Sequence, residues 1–287
     1  QTPSALAPGA AALDAFHPDG ATPVVARAGG SVVVHVPALP PSLNAMVESS
    51  GVARQILGEL HESLVRRDPE TWNFVPNLAQ RFEVEDTLVL RDGVRLYGAV
   101  TTRDGAYVVT TLSSGTEARE PTVVPVELVE RLERETVFTF HLAADARWHD
   151  GEPLTARDVA FSFECYRNKY VRCDRKRAVF ERIERLEVLD DRTLRFYFPR
   201  SYFLALAAFD ETFTILPAHI YDLADPMRGA TAHVAGAEEQ AREVNDGAAN
   251  RAWIGLGPYK LVEWNAERIV ARRVDAFFDE SRAGLLD

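Results

Sequence analysis

The chain has 287 residues, 46% hydrophobic and 26% charged, with a formal net charge of −11 and a pI near 5.2. Its length allows two compact units, since domains typically run to about 100–200 residues. The acidic balance argues against nucleic acid or anionic membrane as a partner, and no run approaches the ~20 apolar residues that a membrane span needs.

Residues 1–30 are rich in Ala, Gly and Pro and read as a flexible lead-in. The start at Gln1-Thr2 fits a mature sequence after signal removal or a trimmed one. Ser31–Val36 is a continuous apolar run of strand length, as expected for a buried strand. The prolines between Pro37 and Asn44 require a loop. A helix then starts near Ser49 or Ser50, either of which can cap it, with Val52, Ile56, Leu57, Leu60 and Leu64 on its apolar face. Between Glu85 and Thr136 the chain is β-rich. Leu88–Leu90, Val94–Tyr97 and Ala106–Thr111 read as strands, Asp92-Gly93 and Asp104-Gly105 as hairpin turns, and Pro125–Glu133 as a short helix.

Val137–Leu142 is β-branched and aromatic, so it reads as another strand. Asp150-Gly151 is a turn dipeptide. Thr155 is a good N-cap with Asp158 three residues on to close a capping box, and Leu154 and Val159 occupy the staple positions. On this reading Trp148, His149 and Asp150 form a structural turn that anchors a helix; a catalytic His149–Asp150 pair is the sharper alternative. Further on, Arg185–Phe198 alternates about Asp190-Asp191 as a hairpin, Ser201–Phe209 reads as a small apolar helix, and Arg268–Val274 as a strand.

Several of these segments together carry a resemblance. Thr139-Phe-His-Leu142, Trp148-His-Asp-Gly151 and Pro153-Leu-Thr-Ala-Arg-Asp-Val159 follow one another as in the family 5 extracellular solute-binding proteins, the peptide and nickel receptors of bacterial ABC importers. Leu43-Asn-Ala, Leu60-His-Glu-Ser-Leu64, Pro76–Phe82, Ile215–Ile220 and the run Gly255, Gly257, Pro258, Tyr259 also resemble family segments. Ala45, Phe82 and Leu256 depart from the usual Pro, Trp and Thr, and the connection through 87–135 is much longer than the family's.

The resemblance implies an α+β chain, the first lobe of a periplasmic-binding-protein-like fold (type II, cluster C). A mixed β-sheet would be flanked by helices beside a smaller β-rich subdomain. Residues 31–51 and 152–280 would form the main lobe and 52–151 the smaller subdomain, with the insert at about 87–135. Family members run considerably longer, so the second lobe would be absent from these 287 residues. The implied function is capture of a peptide-like or other small solute for an ABC permease, in the periplasm or outside the cell, with or without an anchor from a removed signal. The implied partners are that solute, the permease and a second-lobe chain, with no nucleic acid.

In peptide-binding members the loop after the first strand touches the ligand, which points to Ser49, Ser50 and Gly51; the free N–H groups of a helix start suit an anion or carbonyl there. Cys173, Asp174 and Arg175 form a second candidate. If the protein is exported, Cys165 and Cys173 could form a local disulfide, provided the intervening helix ends near Asn168. No phosphate loop, nucleophile elbow or zinc motif is present, and the seven His residues have no paired ligand spacing, so neither metal nor cofactor is expected. Two rival functions remain: a hydrolase using His149-Asp150, and an interaction domain whose insert at 87–135 carries the partner surface.

Overall fold

The alternating residues between 85 and 136 build a large part of the main sheet. A computed structural model describes residues 29–111, 120–210 and 212–287, so most of the lead-in lies outside the described residues. In chain order the elements are α1 (Gly51–Leu60), β1 (Val65–Arg67), β2 (Phe74–Pro76), β3 (Ala79–Leu90), β4 (Arg95–Arg103), β5 (Ala106–Thr110), β6 (Thr122–Pro125), β7 (Val129–Leu142), α2 (Ala156–Arg167), α3 (Asp174–Phe180), β8 (Arg185–Asp190), β9 (Thr193–Tyr197), α4 (Ala218–Tyr221), α5 (Ala237–Asp246), β10 (Tyr259–Trp264) and β11 (Ile269–Arg273). Seven strands form one sheet in the order β6-β5-β4-β3-β7-β9-β8, with antiparallel neighbours throughout. Two antiparallel pairs, β1-β2 and β10-β11, stand apart from it.

At about 3.3 Å per residue the 14-residue β7 extends for roughly 45 Å and passes through two separate cores. Its C-terminal half contributes Phe138, Phe140 and Leu142 to the main cluster, which also holds Leu43, Leu57, Trp148, Phe163, Phe196 and Phe213. Its N-terminal half joins a small cluster of Leu88, Val100, Val109, Val124 and Val129. The two halves meet at a bulge. Glu85 pairs with Val137 and Thr87 with Glu133, so residues 134–136 lie opposite Asp86 alone. Glu135 takes a φ of +52°, and the Asp86 carboxylate accepts its N–H at 3.0 Å and the Arg134 guanidinium at 2.5 Å.

Three expectations need correcting. Ser31–Val36 is not a strand: Val32, Val33 and Val34 are 65%, 93% and 58% exposed. An apolar run becomes a strand only where a neighbour offers a free edge, and here backbone bonds reach only Gly29 and Gly30, from Leu285 and Asp287. Pro125–Glu133 holds only a short 3-10 turn at Val126–Leu128 before β7 begins. Val129 and Leu132 pair with Leu90 and Leu88, and this cross-strand packing outweighs helix propensity. Ser201–Phe209 likewise contains only a 3-10 turn, Leu206–Phe209.

The turn-and-cap reading of the signature agrees with the structure. Gly151, at φ +98°, donates its N–H to the Trp148 carbonyl, while the Trp148 N–H donates to Glu152 at 2.8 Å. The Thr155 N–H donates to Asp158 at 2.9 Å, closing the capping box at the start of α2. The second oxygen of Asp158 accepts the Ala218 N–H at 2.8 Å, so the cap also fixes the start of α4. Burial pushes this carboxyl above the usual carboxylate range.

The far end of α2 is closed by a side chain from the next helix. α2 stops at Arg167 with Asn168 as C-cap. Arg177, 8% exposed, donates to the carbonyls of Tyr166, Asn168 and Val171. One guanidinium thus satisfies carbonyls that a helix end leaves orphaned. Arg177→Met keeps the apolar stem but strands these acceptors, and should cost about 2–3 kcal/mol in a urea melt.

Candidate functional site

Three segments distant in sequence meet at one lysine. The first, residues 43–50, enters α1 and is held by Asn44, which is fully buried. Its side-chain amide donates to the Val244 carbonyl and to Asn250 Oδ1, both at 3.0 Å, while its own Oδ1 accepts the Met46 N–H. Ser50 then caps α1, accepting the Ala53 N–H at 3.2 Å. The second segment is the opening turn of α3. The third, around Thr214, is fixed by Tyr166, whose hydroxyl donates to Thr212 O and accepts the Thr214 N–H. Lys176 of α3 joins them, its Nζ donating to the Ala45 carbonyl at 2.6 Å and reaching Thr214 Oγ1 at 3.4 Å.

The candidate residues distribute around this point unevenly. Ser49, Ser50 and Gly51 are exposed at the start of α1, a few residues beyond Ala45. Asp174 and Arg175 are exposed on the turn that carries Lys176, whereas Cys173 is buried at the N-cap, its thiol directed at the Tyr166 carbonyl. Lys176 therefore brings the two candidate segments together. Cys165 and Cys173 are both buried free thiols, although α2 does end where pairing would require. Burial is the first cause that pushes each thiol pKa upward.

Burial pulls the Lys176 ammonium down to about 8, with the Cys173 thiol opposing and Arg54 adding to the shift. His61 follows α1 nearby. Its Nε2 accepts the Ile215 N–H at 3.4 Å and its ring meets Trp253 edge-on at 5.9 Å. Burial, then the charges of Lys176 and His149, lower His61 to about 3, so it is neutral across the physiological range.

His149 and Asp150 face different partners. The His149 ring accepts the Gly255 N–H on Nδ1 at 3.1 Å and donates from Nε2 to the Gly257 carbonyl at 3.0 Å, and its backbone N–H donates to Gly255 O. Both ring nitrogens are thereby occupied in fastening the signature turn to residues 255–257. Asp150 instead bonds His219 Nε2 at 2.8 Å. A surface cavity of about 340 Å³ opens beside this turn, with Arg251, Trp253, Lys260 and Trp264 in its wall, and does not include Lys176. Among the described residues no group of His, Cys, Asp or Glu is arranged to hold a metal.

The Asp150–His219 pair has a pH signature. Burial opposes a charge on His219, but the hydrogen bond and charge of Asp150 prevail and raise its pKa above the usual 6.5. The stability gained is complete below pH 6.5 and is lost as the pH rises through the folded-state value. His219→Gln should accordingly cost about 1 kcal/mol at pH 6 and much less at pH 9, read from paired thermal melts.

The sequence profile of the bacterial extracellular solute-binding proteins, family 5, matches residues 73–285. The chain belongs to that family. Among curated proteins it is 27% identical over 123 residues to the probable peptide-binding protein YejA of Agrobacterium fabrum, covering 43% of this chain and 18% of that protein. Among solved structures, DppA of Helicobacter pylori in complex with the peptide STSA aligns with a TM-score of 0.57 at 20% identity, covering 91% of this chain and 42% of that one. The oligopeptide-binding protein AppA of Bacillus subtilis, in complex with a nonapeptide, aligns with a TM-score of 0.58 at 19% identity, covering 92% and 40%. The chain is therefore an α+β periplasmic-binding-protein fold that spans less than half the length of these relatives.

The sequence reading named the segments on either side of Lys176 as candidates but not the contact that joins them. Lys176 and Thr214 belong to no quoted motif, and Ala45 takes part through its carbonyl, which any residue supplies. The one visible sign was a lysine in the first turn of a short helix, where an acidic residue suits the dipole better.

Proposed function

We propose that these 287 residues form the first, cleft-bearing lobe of a solute receptor for an ABC importer, and that the solute is peptide-like. The observation that carries this reading is the meeting of the loop into α1 with the start of α3 at Lys176. It presents polar side chains and backbone carbonyls on a rigid floor. Family membership and the peptides named with DppA and AppA support the same solute class. A second lobe would close over the ligand, and that hinge motion would signal the membrane permease from outside the cytoplasm. The insert, 87–135, is an elaboration of the smaller subdomain.

A single lobe leaves its ligand half solvated, whereas good small-molecule pockets bury about 70–90% of the ligand surface. The chain should thus bind short peptides saturably but with a Kd weaker than about 1 µM by NMR titration, and mass spectrometry should recover the peptides intact. Sub-micromolar binding would show that one lobe suffices. Peptide cleavage that disappears in His149→Ala would replace the receptor reading with the hydrolase one.

A further inference from the structure

Lys176 differs from several other buried or half-buried cations among the described residues. Arg177 is spent on three carbonyls, Arg195 lies 3.6 Å from Glu85, and Arg282 divides its guanidinium between Glu62 and Asn77. The Lys176 ammonium has three hydrogens, and the described residues offer it one carbonyl at 2.6 Å and one hydroxyl at 3.4 Å, both neutral. Among the described residues no carboxylate acts on it; the groups that do are Arg54, of the same sign, and the Cys173 thiol. Buried or half-buried charges are as a rule paired, because desolvation without a counter-charge is costly. Among the described residues no counter-charge stands at this junction of the two candidate loops.

We infer that Lys176 receives a carboxylate of the solute, which makes the ligand an anionic or carboxylate-terminated molecule. This rests on the receptor reading above. The ammonium points from a fixed platform: Ala45 is held by the Asn44 network and Thr214 by the Tyr166 hydroxyl, so little ordering remains to be done on binding. A carboxylate arriving there restores the pairing and forms a charge-assisted hydrogen bond through the remaining N–H. Burial and Arg54 both weaken the charged form of Lys176, and an anion reverses that bias. Arg54, exposed on α1, is close enough to act on the Lys176 charge.

Three tripeptides test the inference on the chain as it stands, by NMR titration at fixed ionic strength: Ala-Ala-Ala, its C-terminal amide, and the amide of Ala-Glu-Ala. The first and third carry a carboxylate at the terminus and on a side chain respectively; the second carries none. At least one carboxylate peptide should bind about tenfold more tightly than the neutral amide, and which one identifies the carboxylate's source. Lys176→Met should erase that preference, and Lys176→Arg should retain part of it. The wild-type comparison needs no variant, so it decides even if Lys176→Met fails to fold. Equal binding of all three peptides would overturn the role of Lys176 while leaving a peptide receptor. No saturable binding of any of them would overturn both.

Discussion

Gly255→Ala should abolish cooperative folding, at a cost of about 4 kcal/mol or more. A Cβ built on Gly255 would lie 1.8 Å from the Leu60 carbonyl oxygen and 3.0 Å from Trp253 Nε1. Neither side can yield. Leu60 O already accepts the Gly257 N–H at 3.1 Å, and the His149 ring and backbone clamp residues 255–257 from the other side. Gly257 is under the same constraint, its added Cβ falling 2.5 Å from Glu59 O. Circular dichroism during urea unfolding would detect the loss. Gly58→Ala provides the control: it is exposed inside α1 with nothing within 4 Å of an added Cβ, and should stabilise the protein by about 0.5–1 kcal/mol. A folded Gly255→Ala protein of near-native stability would mean that the signature turn and the end of α1 are not locked together.

Trp148→Ala should cost about 3–5 kcal/mol in a denaturant melt. The indole is 2% exposed, lies in the main core cluster and takes the His219 ring edge-on at 6.4 Å. Truncation would open a cavity under the turn that holds both Asp150 and the capping box, where backbone hydrogen bonds leave little room for collapse. A loss below about 1 kcal/mol would show that the turn stands without its aromatic anchor.

What could be read from the sequence, and what could not, divides by the range of the interactions. The Asp150-Gly151 turn, the Thr155–Asp158 cap and the hairpin at Asp190-Asp191 are made by residues within a few positions of each other; the first two lie where their local pattern placed them, and the hairpin turns one residue later, at Asp191-Arg192. Ser31–Val36 failed because strand character depends on a neighbour, and residues 126–133 because cross-strand partners at Leu88 and Leu90 decided their state. The site was legible only in part. Ser50 was identifiable as a cap, whereas the bond from Lys176 to Ala45 joins residues 131 positions apart. Nor does the sequence show that His149 has both ring nitrogens engaged, since its partners lie beyond residue 250.

The bulge opposite Asp86 has a further consequence, for cooperativity. Beyond it, β4, β5 and β6 rest on a cluster of five buried aliphatic side chains, whereas the main core includes more than a dozen aromatic and large aliphatic ones. Opening free energy follows buried apolar area, so this end of the sheet forms a shallower unit of stability that can open while the end packed in the main core stays closed. Amide protons of β4 and β5 would then exchange with solvent by a sub-global route, ahead of those in the C-terminal half of β7. β3 and β7, which run through both clusters, thus carry a fast-exchanging end and a slow one.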